Sequence, residues 1–277
     1  MLSFLKKKWC LAEVSHDKAL ALGKELNIPT TVGVLLVNRG VMTAKEATLY
    51  LKSDLSQLHD PFLMAGMDKA VKRVIRAIQN KESITVFCDY DVDGVTSAAF
   101  LTHFFRDLDC PVTAYLPERQ AEGYGLNSEA VRKIREQGSS LMITADCGIT
   151  GVKEVALANE IGLDVIVTDH HQVGEEGLPQ AVAVLNPHRK ECDYPFRFLS
   201  GVGLAFKLGL GVRSGLHTAG RKKEDLPNMK RHLDLFALGT IADVAPLTGE
   251  NHILTRHGLD VLSTSAKPGL VALKEVA

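Results

Sequence analysis

From Ile84 onward, short runs of β-branched and apolar residues alternate with amphipathic stretches, and this alternation limits the open folds more than any other feature. Residues 84–87, 112–115, 141–144, 165–168 and 181–185 read as strands, and residues 95–108, 128–137 and 152–161 as intervening helices. Strands separated by helices pair in parallel with right-handed crossovers, so the expectation is an α/β fold: a parallel β-sheet flanked by helices. Upstream, residues 17–26, 31–39 and 43–51 carry apolar residues at helical spacing, and Val71, Val74, Ile75 and Ile78 form one stripe over 68–78. Residues 1–80 are therefore expected to be a helical N-terminal segment packing on the core, and 81–277 the main domain. Beyond Pro187 the strands give out into a helical C-terminal part. A helix starts at Gly201, a Gly-, Lys- and Arg-rich loop is expected over 211–227, and buried helices over 229–241 and 251–262. The last residues, from Gly269 to Ala277, keep an apolar pattern with no stop signal, which reads as a cut ahead of a further domain.

The strand ends carry the chemistry. In open α/β sheets ligands bind beyond the carboxyl ends of the strands. The first strand runs into Asp89-Tyr90-Asp91-Val92-Asp93-Gly94, the third into Asp146-Cys147-Gly148, and the fourth into Asp169-His170-His171. If the first of these stays extended, Asp91 and Asp93 share a face. Asp243, beyond the long helix, is a fourth candidate. So many carboxylates at one rim repel one another unless cations neutralise them. Oxygen donors with one or two imidazoles suit Mn²⁺ or Mg²⁺, and two such ions about 3.5–4 Å apart can clamp a phosphate.

Each element also has a plainer reading. The DxDxDG run can be a solvated turn, although the glutamate that closes an EF-hand calcium loop is missing. Asp146 can be a helix N-cap, and a His-His pair is often surface or core. What favours the metal reading is that all of them fall at successive strand ends.

Composition closes off other classes. The chain has 277 residues, 45% hydrophobic and 23% charged, as in ordinary globular proteins. It has no apolar run long enough for a membrane span and no leader pattern at its start. Five scattered cysteines without a CxxC pair argue against a disulfide framework or a thiolate zinc site, and for a cytoplasmic location. The formal net charge of −1 decides nothing, since bound cations would reverse the local field. Basic clusters at Lys6–Lys8, His188–Lys190, Arg221–Lys223 and Lys230–Arg231 read as solvated surface runs.

The motifs VFCDYDVDGVTSAAFL, ITADCGIT and VTDHHQ resemble those of the DHH phosphoesterase family, which takes its name from Asp169-His170-His171. Within it, YLPERQAEGYGLN, LNPHRKECDYPFRFLSGVGLAFKL, LFALGTIADVAPLTGENH and the upstream LHDPFLMAGMDKAVKRVIRAI are similar to the single-strand-specific DNA exonuclease branch. The resemblance runs from about residue 50 to the end, and residues 1–50 match only loosely. Cys88 stands where the family pattern has glycine; it removes no ligand and reads as structural.

The resemblance implies metal-dependent phosphodiester hydrolysis, 5′-to-3′ on single-stranded DNA, in repair and recombination. It implies that Asp91 and Asp146, with help from Asp89, hold one Mn²⁺ or Mg²⁺. Asp93, Asp146, His170 and Asp243 would hold the second, with Asp146 as the bridge. Asp169 would orient a histidine, and His171 would face the scissile phosphate. Arg119 is a candidate phosphate contact, or alternatively a salt bridge to Glu118 or Glu122. Gly201 and Gly203 can offer backbone amides to a phosphate, or simply open a helix. The longer members of this branch continue into a DHHA1-type domain. The expected partner is single-stranded DNA and no membrane, with the chain a monomer and any repair-protein partner left open. Two alternatives remain: a small-substrate phosphoesterase of the same family, acting on pyrophosphate, oligonucleotides or cyclic dinucleotides, and a non-catalytic scaffold, from which ligand losses would be expected.

Overall fold

The computed structural model describes residues 8, 10, 12–120 and 122–277. Lys6 and Lys7 of the first basic cluster lie outside the described residues. The chain divides into two compact units, Met1–Gln57 and Leu58–Ala277. Among the described residues no helix is long and apolar enough to cross a membrane.

The first unit is helical: α1 (His16–Leu26), α2 (Thr30–Asn38) and α3 (Ala44–Lys52). Its small core is Ala19, Leu22, Leu36, Val37 and Ala47. The start of α3 is a capping box, in which the Glu46 amide donates to Thr43 Oγ1 and the Thr43 amide to Glu46 Oε2.

The second unit opens with α4 (Met67–Asn80), which buries Val71 and Val74. The division at 57/58 therefore groups α4 with the sheet, where the sequence grouping ran to residue 80. The sheet has five parallel strands in the order β2-β1-β3-β4-β5: β1 (Ile84–Cys88), β2 (Val112–Tyr115), β3 (Leu141–Ala145), β4 (Asp164–Thr168) and β5 (Ala183–Leu185). Both β1 and β3 are buried along their whole length, as strands covered on two faces must be. On one face Phe87, Met142, Val165, Val167 and Val184 pack with Ala130, Val131 and Ile134 of α6 (Ser128–Glu136) and with Val155 and Ala158 of α7 (Val152–Glu160). The other face is covered by α5 (Val92–Arg106) and α8 (Gly201–Thr218), with α9 (Leu233–Ala242) packed on both. A 3-10 turn, Met229–His232, precedes α9, and α10 (Gly249–Ser263) and α11 (Pro268–Val276) follow it.

Two expectations are corrected. The loop expected from residue 211 starts only after Thr218, because the glycines that suggested it lie within α8. They are there for close packing: a Cβ at Gly211 would come 3.0 Å from Met67 and Val71, and one at Gly215 would come 2.8 Å from Val71 and Ile75, all on α4. The second correction is to α5, which begins at Val92 and not at residue 95.

The strand order positions the site. The chain leaves β1 for β2 on one side, then returns to β3 on the other side of β1. Connections leaving the ends of β1 and β3 diverge, which opens a crevice at that switch point.

Candidate metal centre

Each acidic or imidazole group reaches this crevice by a different local device. Asp89 follows β1 directly and is buried. Asp91 is the N-cap of α5, its carboxylate accepting the Gly94 amide at 2.9 Å. Asp93 is already in the first turn of that helix. The expected extended run from Asp91 to Asp93 is therefore not what brings them together: the cap ends the strand, and the helix turn carries Asp93 inward. Asp146 follows β3 with φ of 63°, a left-handed conformation uncommon for any residue but glycine and tolerated best by Asn and Asp. It is not a helix N-cap, since Gly151 holds that position on α7. Asp169, His170 and His171 follow β4, and Asp243 ends α9.

These residues meet in three overlapping groups, each with its ligand atoms within 4.8 Å of one another: Asp89, Asp91 and Asp146; Asp146, His170 and His171; and Asp93, His170 and Asp243. Asp146 and His170 each belong to two of them. The His170 Nε2 stands 3.0 Å from Asp146 Oδ1 and 3.9 Å from Asp93 Oδ2. Neither Asp146 Oδ1 nor His170 Nε2 has a hydrogen-bond partner, although both are buried. Two orphaned donor atoms facing one another at that distance are the arrangement expected of groups that share a cation.

The electrostatics point the same way. Burial, reinforced by neighbouring carboxylates, pushes Asp93 up to about 8 and Asp146 up to about 9. Asp89 and Asp243 are raised as well, first by burial. Without a cation the cluster can relieve its repulsion only by taking up protons. The donors are oxygen and imidazole. Burial pushes the nearby Cys88 thiol up to about 12 and Cys147 well above its ordinary value, so neither offers a thiolate. This set fits Mn²⁺ or Mg²⁺ better than a thiolate-bound zinc.

Around the acids lies a second set of contacts. Asp169 is buried; its Oδ2 accepts the Ile149 amide at 2.8 Å, and its Oδ1 accepts from both the backbone and the ring Nδ1 of His171. That hydrogen bond raises His171 to about 9. Arg119 is exposed and stacks over the Tyr90 ring, 5.3 Å from its centroid. Glu122 is instead engaged by the Tyr115 hydroxyl, the Glu118 amide and Asn127. The Tyr124 ring stands edge-on to both Tyr90 and His171.

One contributor escaped sequence reasoning, and a second was placed on its helix without its partner in the site. Asn186 is fully buried, donating to the His171 carbonyl at 2.9 Å and accepting the His188 amide at 2.7 Å, which fixes the loop that carries both histidines. Its only sequence signal was an Asn before Pro at a strand end, which reads as a turn. The second is the start of α8. Its Gly201 and Val202 amides donate to Asp93 at 2.5 and 2.9 Å, and Gly203 donates to Ser200. Those glycines open a helix and present no free amide to a phosphate.

Comparison with known proteins shows the family and the fold. Residues 83–240 match the N-terminal domain of the DHH family. The chain is 42% identical over 268 residues to the single-stranded-DNA-specific exonuclease RecJ of Bacillus subtilis, covering 97% of this chain and 32% of that protein. It is 38% identical over 278 residues to RecJ of Escherichia coli, covering 99% and 47%. The chain thus spans between a third and a half of the length of these curated relatives. Among solved structures it is similar to an exonuclease RecJ bound to manganese, with TM-score 0.70 and 35% identity, covering 80% of this chain and 54% of that one. It is also similar to RecJ of Thermus thermophilus in complex with Mn²⁺, with TM-score 0.77 and 29% identity, covering 96% and 36%.

Proposed function

The chain belongs to the DHH family, and we propose that it hydrolyses phosphodiester bonds of single-stranded DNA from the 5′ end, using a pair of Mn²⁺ or Mg²⁺ ions. The observation that carries this reading is the hub position of Asp146, shared by a carboxylate group with Asp89 and Asp91 and by an imidazole group with His170 and His171. A carboxylate has two oxygens, so one residue that belongs to two ligand groups can bridge a pair of ions. The choice of substrate is supported by curated relatives named for single-stranded DNA, and the choice of ion by similar solved structures that hold manganese.

The ligand division we propose is Asp91 and Asp146, with Asp89, for one ion, and Asp93, Asp146, His170 and Asp243 for the other. Such a pair supplies Lewis-acid activation of water and phosphate. The protein's own residues do the rest. Asp169 holds the His171 ring through Nδ1, which leaves Nε2 for the substrate. His171, with its ring held by Asp169, donates a hydrogen bond to the scissile phosphate. Arg119, held over Tyr90, contacts the strand backbone. With 6% aromatic residues to offer as stacking surfaces, the chain grips a strand weakly, and its cleavage is slow and without processivity at physiological salt.

The test is a cleavage assay on 5′-labelled single strands and duplexes after chelation and readdition of metal. Mononucleotides should appear only with Mn²⁺ or Mg²⁺ and only from the single strand. Release of label at equal rates from duplex, or in the presence of excess chelator, would contradict the proposal.

A further inference from the structure

Asp93 is buried as completely as Asp146 and Asp169, and what surrounds it is the amino end of a helix. Both of its oxygens are engaged there: Oδ2 accepts the Gly201 amide at 2.5 Å and Oδ1 the Val202 amide at 2.9 Å. The remaining first-turn amides of α8 are used locally, Gly203 by the Ser200 hydroxyl and Leu204 by the Ser200 carbonyl. Ser200 is itself bonded to Thr240 at 2.8 Å, three residues before Asp243. With one N–H on each oxygen, the carboxylate is fixed in plane, and each oxygen keeps a second lone-pair direction.

The same glycine touches the other buried acid. A Cβ at Gly201 would meet Asp146 Cβ at 2.5 Å, Oδ1 at 2.6 Å and Cγ at 2.7 Å. Gly201 has an ordinary backbone conformation, so the requirement for glycine is one of space alone. Asp146 already adopts a left-handed backbone, with φ of 63°, so it has no easy retreat.

We propose that Gly201 is a positioning residue for the metal pair: its amide orients Asp93 and its missing side chain admits Asp146 alongside. The first turn of α8 thereby sets the spacing between the two carboxylates. This deepens the proposed function and rests on that reading for its metal consequence, whereas the steric relationship between Gly201 and Asp146 stands without it.

The experiment is a double-mutant cycle on the full chain, read first without metal. Gly201→Ala should lower the melting temperature of the chelated protein by several degrees, or prevent folding. In an Asp146→Gly background, where all three clashing atoms are gone, the same substitution should cost nothing further, or restore a folded protein. Gly203→Ala is the control in the same helical turn, because its nearest neighbours are Leu199 and Phe236 at 3.2 Å or more and no acid is involved. In a Mn²⁺ titration Gly201→Ala should weaken binding by about tenfold or more, the size seen when groups supporting metal ligands are lost, while Gly203→Ala should leave it unchanged. An equal loss of stability in both backgrounds would overturn the proposal, as would a Gly201→Ala protein with unaltered stability and Mn²⁺ affinity. If the unmodified chain binds no Mn²⁺ at all, the proposed function fails, yet the metal-free coupling still decides the role of Gly201.

Discussion

Asp169 holds His171 twice with one oxygen, accepting the backbone amide at 2.9 Å and the ring Nδ1 at 2.7 Å. The ring cannot turn without breaking the second bond, and the bond keeps the imidazolium charged up to about pH 9. Asp169→Asn should therefore bring the His171 pKa down toward its ordinary 6.5, observable by NMR titration of the ring. The sign for stability follows: a raised histidine contributes fully below about 6.5, and that contribution is lost as pH climbs through about 9. The variant should lose this pH dependence and about 10–100-fold in cleavage rate, as when a group that orients a site residue is lost, while still binding metal. Loss of metal instead would show that His171 is a ligand.

The metal-free chain should be least stable at high pH. Burial and mutual repulsion raise Asp93 to about 8 and Asp146 to about 9 from an ordinary 3.8. Between those limits the folded chain holds protons that the unfolded chain has released, so stability falls as pH rises through this window. Bound Mn²⁺ should flatten or reverse the slope. Thermal melts from about pH 5 to pH 9, with chelator and with Mn²⁺, check this. A metal-free melting temperature that rises with pH would count against the electrostatic picture.

The sheet and the destination of its acids were legible because both depend on local pattern. Continuous apolar runs marked β1, β3 and β4, and the first residues beyond them are Asp89, Asp146 and Asp169. What sequence could not show was how side chains distant in the chain fit together. Gly211 and Gly215 looked like loop formers because a helix glycine is costly in isolation; α4 packing close against them is a tertiary fact. Gly201 could be read as a phosphate contact or as a helix start, and nothing local says that Asp93, 108 residues away, takes its amide. The start of α5 was placed late because Asp91, read only as a candidate metal ligand, also serves as a helix cap.

That double role of Asp91 can be separated. Asn caps a helix about as well as Asp, whereas Ala costs about 1 kcal/mol. Asp91→Asn should keep the melting temperature of the metal-free chain and Asp91→Ala should lower it, while both lose cleavage. Denaturation and activity measured on the same preparations check the separation. A Asp91→Asn protein that cleaves normally would remove Asp91 from the metal site.

Arg119 makes no ion pair with Glu118 or Glu122 and is held over Tyr90, which leaves its guanidinium available to a strand. Arg119→Ala should weaken single-strand binding at every sequence and reduce the slope of log affinity against log salt by about 1. Mn²⁺ binding should not change. An unaltered salt slope would mean that Arg119 touches no phosphate.

The central claim is that Asp146 joins two cation sites. Calorimetric titration of the chelated chain with Mn²⁺, with bound metal counted by elemental analysis, tests it most directly. The account requires two ions per chain, with both lost or strongly weakened in Asp146→Asn, which removes one charge and leaves the backbone at φ of 63° acceptable to Asn. One ion per chain, or an Asp146→Asn protein that still binds two with unchanged affinity, would contradict it.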